Sequence, residues 1–403
     1  MLKFHNMLTK FINGWRYGFI IVMSFIYLPL FISCTGRSIN SEYDNLEILN
    51  GTEHSFVSIV YRDTVNIDAR GTSLQGYWSI LGKQLSFADE HIVRVSMYDT
   101  LGHRSNSLFS QGRGPSEFLS PPLSFIQLES GKYLYSDKNQ NLYLLSSEYI
   151  KEKHTNLIKA GLPARNIANF INDLKATPDP NNFAMYELCF QGYDFIEYNG
   201  NILFPVTTEH VIFNGYMGNY APDFYKKSFT VMAVDTGNLN ITNLLCKFPP
   251  IYHEKVIPNF KDCHLATDGN LLYVCFEADP NIYVLNEKFD MLGYFGEAEA
   301  EIIKDNFIET FSFEEASRNF FKHRKLCGHY GNLSCFGDYV FREFFLPGDK
   351  KGIQIYRNYT LVHTLYPVKE DFTMIGYIYP NYYAVLECDI DNEVYSIIKF
   401  ELR

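Results

Sequence analysis

The sequence predicts an all-β chain built as a β-propeller. Two observations carry that reading, a composition and an internal repeat. Of 403 residues, 46% are hydrophobic and 16% aromatic, with 34 Phe and 30 Tyr against two Trp. Aromatic and β-branched side chains suit the half-buried surface of a strand. From Leu46 onward, short apolar strands alternate with turns rich in Asp, Asn or Gly. The segments KYLYSDKNQNLYLLSSE (132–148) and LLYVCFEADPNIYVLNE (271–287) share one plan. Each has an aromatic-rich strand, a polar turn, then Asn-apolar-Tyr-apolar-Leu, as in Asn141 to Leu145 and Asn281 to Leu285. Looser copies occupy 339–362 and 382–402. An antiparallel unit of this size cannot bury both faces alone, and stacking such units in a ring buries them.

The elements follow in chain order. Lys3, Lys10 and Arg16 precede an uncharged apolar run, 18–33, which ends at Cys34. A basic start, an apolar stretch and small residues before a cut describe a secretory signal. Residues 1–33 are therefore assigned as signal peptide. The Ser33-Cys34 junction resembles the bacterial lipoprotein signal, in which the cysteine thiol takes a diacylglycerol and becomes the first mature residue. Phe31 stands where that signal usually has Leu, and Leu30 is one place further out. The alternative is a signal anchor, whose apolar length falls slightly short of the ~20 residues a span needs. Residues 34–45, polar after Cys34, form a tether, and 46–403 form the propeller domain. Strand clusters fall near 76–110, 123–158, 190–246, 263–296, 330–366 and 372–402. A strand around 56–67 has no local partner and completes the last blade. Spacing alone allows six blades of about 60 residues or seven or eight of ~45–50. Short helical insertions are expected in two places. One is 296–323, where Ile302, Ile303, Phe307 and Phe311 have helical spacing. The other is 156–182, with a helix near 165–174.

Charge narrows the partners. Residues 1–33 carry three positive and no negative charges, so the net −11 deepens to about −14 after cleavage. Such a surface repels nucleic acid and anionic lipid head groups. Of eight Cys, seven remain if Cys34 is acylated. Cys263 with Cys275, and Cys327 with Cys335, lie on candidate hairpins and could bridge. The other reading makes all seven small buried hydrophobes.

The sharpest motif is Gln111-Gly112-Arg113-Gly114-Pro115-Ser116-Glu117-Phe118. Gly112 and Gly114 permit positive φ, Pro115 fixes φ, and Glu117 can accept bonds from loop amides. This reads as a structural turn between blades, with Phe118 as its anchor. A ligand-contacting loop is the alternative. No Lys-Ser/Thr follows, so a phosphate-cradling loop does not fit. The Gly-x-Gly-Pro-x-Glu-Phe pattern after a first blade resembles the TolB-like six-bladed β-propeller lipoproteins of Bacteroidota. In that family a third Gly is common where this chain has Ser116. The resemblance implies six blades and an envelope address, and no particular reaction.

No catalytic residue, metal site or cofactor is assigned. Asp262-Cys263-His264 suggests a nucleophile, but neighbours on a strand point to opposite faces. His323, Cys327, His329 and Cys335 lack structural-zinc spacing. The acidic run 389–393 lacks the Gly and twelfth-position Glu of a calcium loop. Asp63-Thr64-Val65 and Asp99-Thr100-Leu101 resemble the Asp-Thr-apolar O-glycosylation site of exported proteins in this lineage, marking Thr64 and Thr100. Ordinary strand or turn residues are the alternative. The functional expectation is a lipid-anchored outer-membrane binding module, periplasmic or surface-exposed, for a glycan, peptide or partner protein. The alternatives are a propeller enzyme of lactonase, lyase or glycoside hydrolase type, and a scaffold in an envelope complex.

Overall fold

Antiparallel sheets succeed one another along the chain in the computed structural model, which describes residues 42–51, 56–163, 166–189, 195–208, 210–216 and 221–403. Blade 1 comprises Gly76–Leu81, Gln84–Asp89, Val95–Tyr98 and Arg104–Leu108. Blade 2 comprises Pro122–Gln127, Tyr133–Asp137, Asn141–Leu145 and Lys151–Asn156. In blade 3 the first strand is split into Glu187–Leu188 and Ile196–Tyr198, both paired with Asn201–Thr207, and Phe229–Asp235 and Ile241–Lys247 follow. Blade 4 runs through Cys263–Thr267, Leu272–Phe276, Ile282–Leu285 and Met291–Phe295. Blade 5 runs through His329–Phe336, Tyr339–Leu346, Lys350–Arg357 and Thr360–Val368. Blade 6 takes Thr373–Ile378, Asn381–Asp389 and Val394–Leu402 from the C-terminus and Ile59–Asp68 from the N-terminus. The fold is a six-bladed β-propeller, as the sequence predicts.

Local chemistry explains the repeat. In blade 2 the buried Asp137 ends the second strand, and its carboxylate accepts from Asn139 N at 2.9 Å and Asn141 Nδ2 at 3.0 Å. In blade 4 Asp279 accepts from Asn281 N at 3.0 Å and Tyr283 Oη at 2.8 Å. Each Asp holds the polar turn between two strands, with the Asn of the repeated pattern four residues on in blade 2 and two residues on in blade 4, so the turns are alike in chemistry and not in position. Between blades the core is aromatic. Trp78, Phe87, Tyr98 and Tyr395 meet at ring distances of 5.1–5.5 Å and join blade 6 to blade 1. Each such ring buries roughly 150–250 Å².

The chain closes on itself through strand pairing from Ile59 opposite Leu402 to Asp68 opposite Val394, with a bulge between Tyr61 and Asp63. Before reaching blade 6, the N-terminal segment lies along two other blades. Leu49 N donates to Tyr294 O on the outer strand of blade 4 at 2.7 Å, and Val57 N to Val362 O on blade 5 at 3.3 Å. The compact unit spans Leu46–Arg403. Residues 42–45, outside it, form a turn.

Two expectations need correction. Residues 302–311 are not one helix; only Lys304–Asn306 makes a single 3₁₀ turn. The helix is Phe313–Leu326. Ser312 caps it by accepting from Glu315 N at 3.2 Å, and Ser312-x-x-Glu315 is a capping-box spacing. Phe307 instead packs its ring 4.9 Å from Phe260. The second helix, Ile167–Ala176, lies two residues beyond its expected place. Of the two readings of the cysteines, the structure bears out the one without bridges, since none of the seven described Cys is in a disulfide. Cys263 lies opposite Phe276 and Cys275 opposite His264, so the two thiols leave the sheet on opposite faces. Cys263 Sγ donates to Thr230 O in blade 3, and Cys275 Sγ to Gly331 O in blade 5. Cys327 precedes the first strand of blade 5 and Cys335 lies near that strand's end, too far apart to join.

Candidate functional site

The first strand of every blade contributes to one central cavity of about 540 Å³. Its wall includes Trp78 and Ser79, Ile126, Ile196, Thr267, Asn332 and Ser334, and Thr373 and Tyr377, in blade order. The lining is chiefly apolar and includes the aromatic residues Tyr77, Trp78, Phe195, Phe336 and Tyr377. A second hollow of about 450 Å³ shares Ser79, Ile126, Phe195 and Thr267 and extends the opening across blades 1–3. In the turn after Tyr377, Tyr379 is 85% exposed and meets the Tyr377 ring edge-on at 6.4 Å. Tyr377 is itself backed by Tyr382 at 4.6 Å.

One carboxylate reaches this wall, Glu343. It belongs to the second strand of blade 5, which the first strand would ordinarily cover. A bulge opens the way. Tyr330 lies opposite Phe344 and Leu333 opposite Arg342, so Gly331 and Asn332 together face Glu343. Such two-against-one insertions bend a strand and re-aim side chains. Gly331 suits the position because a Cβ there would stand 2.8 Å from Phe345 Cε2. The buried Lys351 Nζ holds Glu343 Oε2 at 3.0 Å and donates to Thr373 Oγ1 at 3.4 Å. Glu343 Oε1 and Trp78 Nε1 are buried without a hydrogen-bond partner.

The N-terminal ends of the first strands of blades 4 and 5 carry a second polar group. Arg324, on the helix Phe313–Leu326, grips the buried Glu277 with bonds of 2.6 and 3.0 Å and donates to Asn259 O at 3.0 Å. His264 Nε2 stands 4.0 Å from Glu277 Oε1. Burial works to raise the Glu277 pKa, but the Arg324 charge, the nearby His264 and the Arg324 hydrogen bonds hold it at about 2. Burial, with the Arg324 charge, pushes His329 down to about 3. Burial raises Asp262, and the Glu277 charge adds to that rise. These groups fasten the helix to the propeller. Cys263 points away to Thr230, so the Asp262-Cys263-His264 run forms no nucleophile pair. Among the described residues, no three His, Cys, Asp or Glu side chains converge as metal ligands.

The remaining sequence-marked residues lie away from the cavity. Glu117 Oε2 accepts from Gly114 N at 2.8 Å, and Gly112 N donates to Phe118 O at 3.0 Å. Lys151 Nζ donates to Gly114 O at 3.2 Å and also to Glu117 O. Lys151 N donates to Pro115 O at 3.1 Å. Phe118 is buried and stacks on Tyr135 at 3.8 Å, joining the loop to blade 2. The expected reason for the glycines is corrected, since neither has positive φ. They are required by space: a Cβ on Gly112 would lie 2.1 Å from Glu117 Oε2, and on Gly114 3.0 Å. Gly112→Ala is expected to displace the carboxylate from Gly114 N and cost about 1.5–3 kcal/mol. Thermal melting checks this, and the same change in a Glu117→Ala background should cost clearly less. Equal losses in both backgrounds would refute the steric account. Thr64 is exposed on the outer strand of blade 6, and Thr100 is half-buried in the turn that Asp99 caps. Cys34 lies outside the described residues. Among the described residues no helix is long and apolar enough to cross a membrane.

Sequence reasoning missed Glu343, Asn332 and Lys351. The only sequence signal was a charged pair, Arg342-Glu343, inside an otherwise aromatic strand.

No family model matches this chain, and no curated protein matches it in sequence. Its fold is similar to the crystal structure of a duf4221-family member from Bacteroides vulgatus, with TM-score 0.62 and 10% identity over 87% of this chain and 99% of the other. It is also similar to a Bacteroides fragilis protein whose name marks it as exported, with TM-score 0.50 and 13% identity over 89% and 98% of the two chains. Likeness at such identities concerns the fold alone, and that fold is the six-bladed β-propeller.

Proposed function

We propose that this protein is an envelope binding module of TolB-like type, anchored through an acylated Cys34, whose ligand enters the central channel. The observation that carries this reading is the aromatic opening. Tyr377 lines a cavity whose size suits a small-ligand site, typically about 300–1,000 Å³, and the exposed Tyr379 stands edge-on to its ring. The candidate ligand is a glycan or the end of a peptide or partner protein. Nucleic acid is disfavoured by the net charge of −11. A glycoside hydrolase uses two carboxylates flanking the bond it cuts; among the described residues Glu343 lines the central cavity, and Glu129 and Glu197 line the adjoining hollow. The basic, apolar, cysteine-ending start and the exported Bacteroides fragilis structural neighbour support export.

The full-length protein, expressed in its envelope and purified with its lipid, is screened against glycan and peptide arrays. Tyr377→Ala with Tyr379→Ala is expected to weaken the captured ligand at least about tenfold, near 1.4 kcal/mol. Fatty-acid probe labelling is expected to vanish in Cys34→Ala. Undiminished capture by the tyrosine variant would refute the channel site, and undiminished labelling would refute the anchor.

A further inference from the structure

We infer that the channel ligand is a neutral, hydroxyl-rich molecule, a sugar ring seated against a recess formed by Asn332, Glu343 and Thr373. This rests on the channel-binding reading above and specifies its ligand class.

The recess is built, and a bulge builds it. Gly331 and Asn332 take the place of one residue opposite Glu343, so a second-strand carboxylate shares the channel wall with a first-strand carboxamide. Lys351 fixes Glu343 from behind at 3.0 Å and reaches Thr373 Oγ1 at 3.4 Å. Three chemistries then converge. Glu343 accepts, Thr373 can donate or accept, and the Asn332 amide both donates and accepts. Glu343 Oε1 is 95% buried at the residue level and has no partner. Across the wall, Trp78 Nε1 is a buried donor in the same condition.

Charge selects among ligands. Lys351 already neutralises Glu343, so a ligand ammonium gains little there. An anionic group would meet the carboxylate and the field of an acidic chain. An apolar ligand would leave Glu343 Oε1 buried and unsatisfied, which carries the desolvation cost of a lone acceptor. Hydroxyl groups fit each demand: they donate to the carboxylate, accept from the amide or indole, and carry no charge. The apolar face of a sugar ring matches the aromatic side chains beside them.

The test is calorimetric titration of the full-length protein with neutral oligosaccharides, their uronic-acid and amino-sugar counterparts, and short peptides. Neutral saccharides are expected to bind best. Glu343→Gln is expected to weaken them at least tenfold, and Asn332→Ala by a similar factor at unchanged melting temperature. If Glu343→Gln fails to fold because Lys351 loses its partner, Asn332→Ala alone decides. Saccharide binding untouched by Asn332→Ala would overturn the recess. Tighter binding of charged sugars or peptides would overturn the ligand class. In either case loss of binding in Tyr377→Ala would leave the channel-binding reading standing.

Discussion

Removal of residues 35–68 is expected to leave a chain that does not fold cooperatively. Among the described residues, the deleted segment holds no channel-lining residue, so an effect on folding reports on architecture. Ile59–Asp68 forms the outer strand of blade 6, paired along its length with Val394–Leu402. Without it the last strand becomes an unpaired edge, an invitation to aggregation. Val57, Val65 and Ile67 are buried, the first between blades 5 and 6 and the others between blades 6 and 1. At about 1.5–3 kcal/mol per buried aliphatic side chain, their loss approaches roughly 5–9 kcal/mol. That is comparable with the whole stability of a typical domain, about 5–15 kcal/mol. The segment also lies along blades 4 and 5 at Tyr294 and Val362, so three blades lose contacts together. Circular dichroism and calorimetric melting of the truncated chain provide the check. A single transition at the parent's melting temperature would mean that the ring does not depend on this closure.

The closing strand was legible because its composition asked for a partner that no neighbouring segment supplied. The blade cores were legible for a related reason: Asp137 and Asp279 each hold a polar turn between two apolar strands, and such turns mark where strands end. The blade count was not in the spacing and came from the family resemblance. The helix Phe313–Leu326 was misplaced because apolar periodicity outweighed its cap, although Ser312 and Glu315 stood in the sequence. Gly112 and Gly114 were correctly marked but for the wrong cause, since a steric requirement set by a carboxylate three or five residues away looks the same as a need for positive φ. The channel wall was least legible. Which side chains of a strand face the channel depends on register, and a single extra residue reverses them. The bulge at Gly331 and Asn332 has no signature short of the structure, so Glu343 reads as an anomaly in an aromatic strand rather than as a channel residue.

Arg324→Ala is expected to cost about 3–5 kcal/mol at neutral pH, because it leaves a buried carboxylate without its partner. The pH dependence identifies the cause. In the parent, Glu277 titrates at about 2 rather than the ordinary 4.5. A carboxyl with a depressed folded-state pKa contributes stability above its unfolded value and loses it as pH falls. That contribution therefore disappears between about 4.5 and 2, a window set by the two values. His329, held at about 3 against 6.5, adds a loss in the same direction that begins at higher pH. Asp262, raised by burial and by Glu277, opposes both in sign. In Arg324→Ala the main opposition to the burial of Glu277 is removed, and its pKa rises. Such a group loses stability as pH increases through its folded-state value. The gap between parent and variant should accordingly be widest near neutrality and shrink as pH falls from the variant's raised Glu277 pKa towards the parent's value of about 2, where Glu277 is protonated in both proteins. Glu277→Gln in the Arg324→Ala background should recover much of the loss at pH 7 while leaving Asp262, His264 and His329 in place. Denaturant unfolding of the three proteins from pH 3 to 8 measures this. A gap of constant size across that range would show that Arg324 holds the helix by packing on Phe260 and Phe320, whose rings lie 5.9 and 5.1 Å from its guanidinium, and not by its charge.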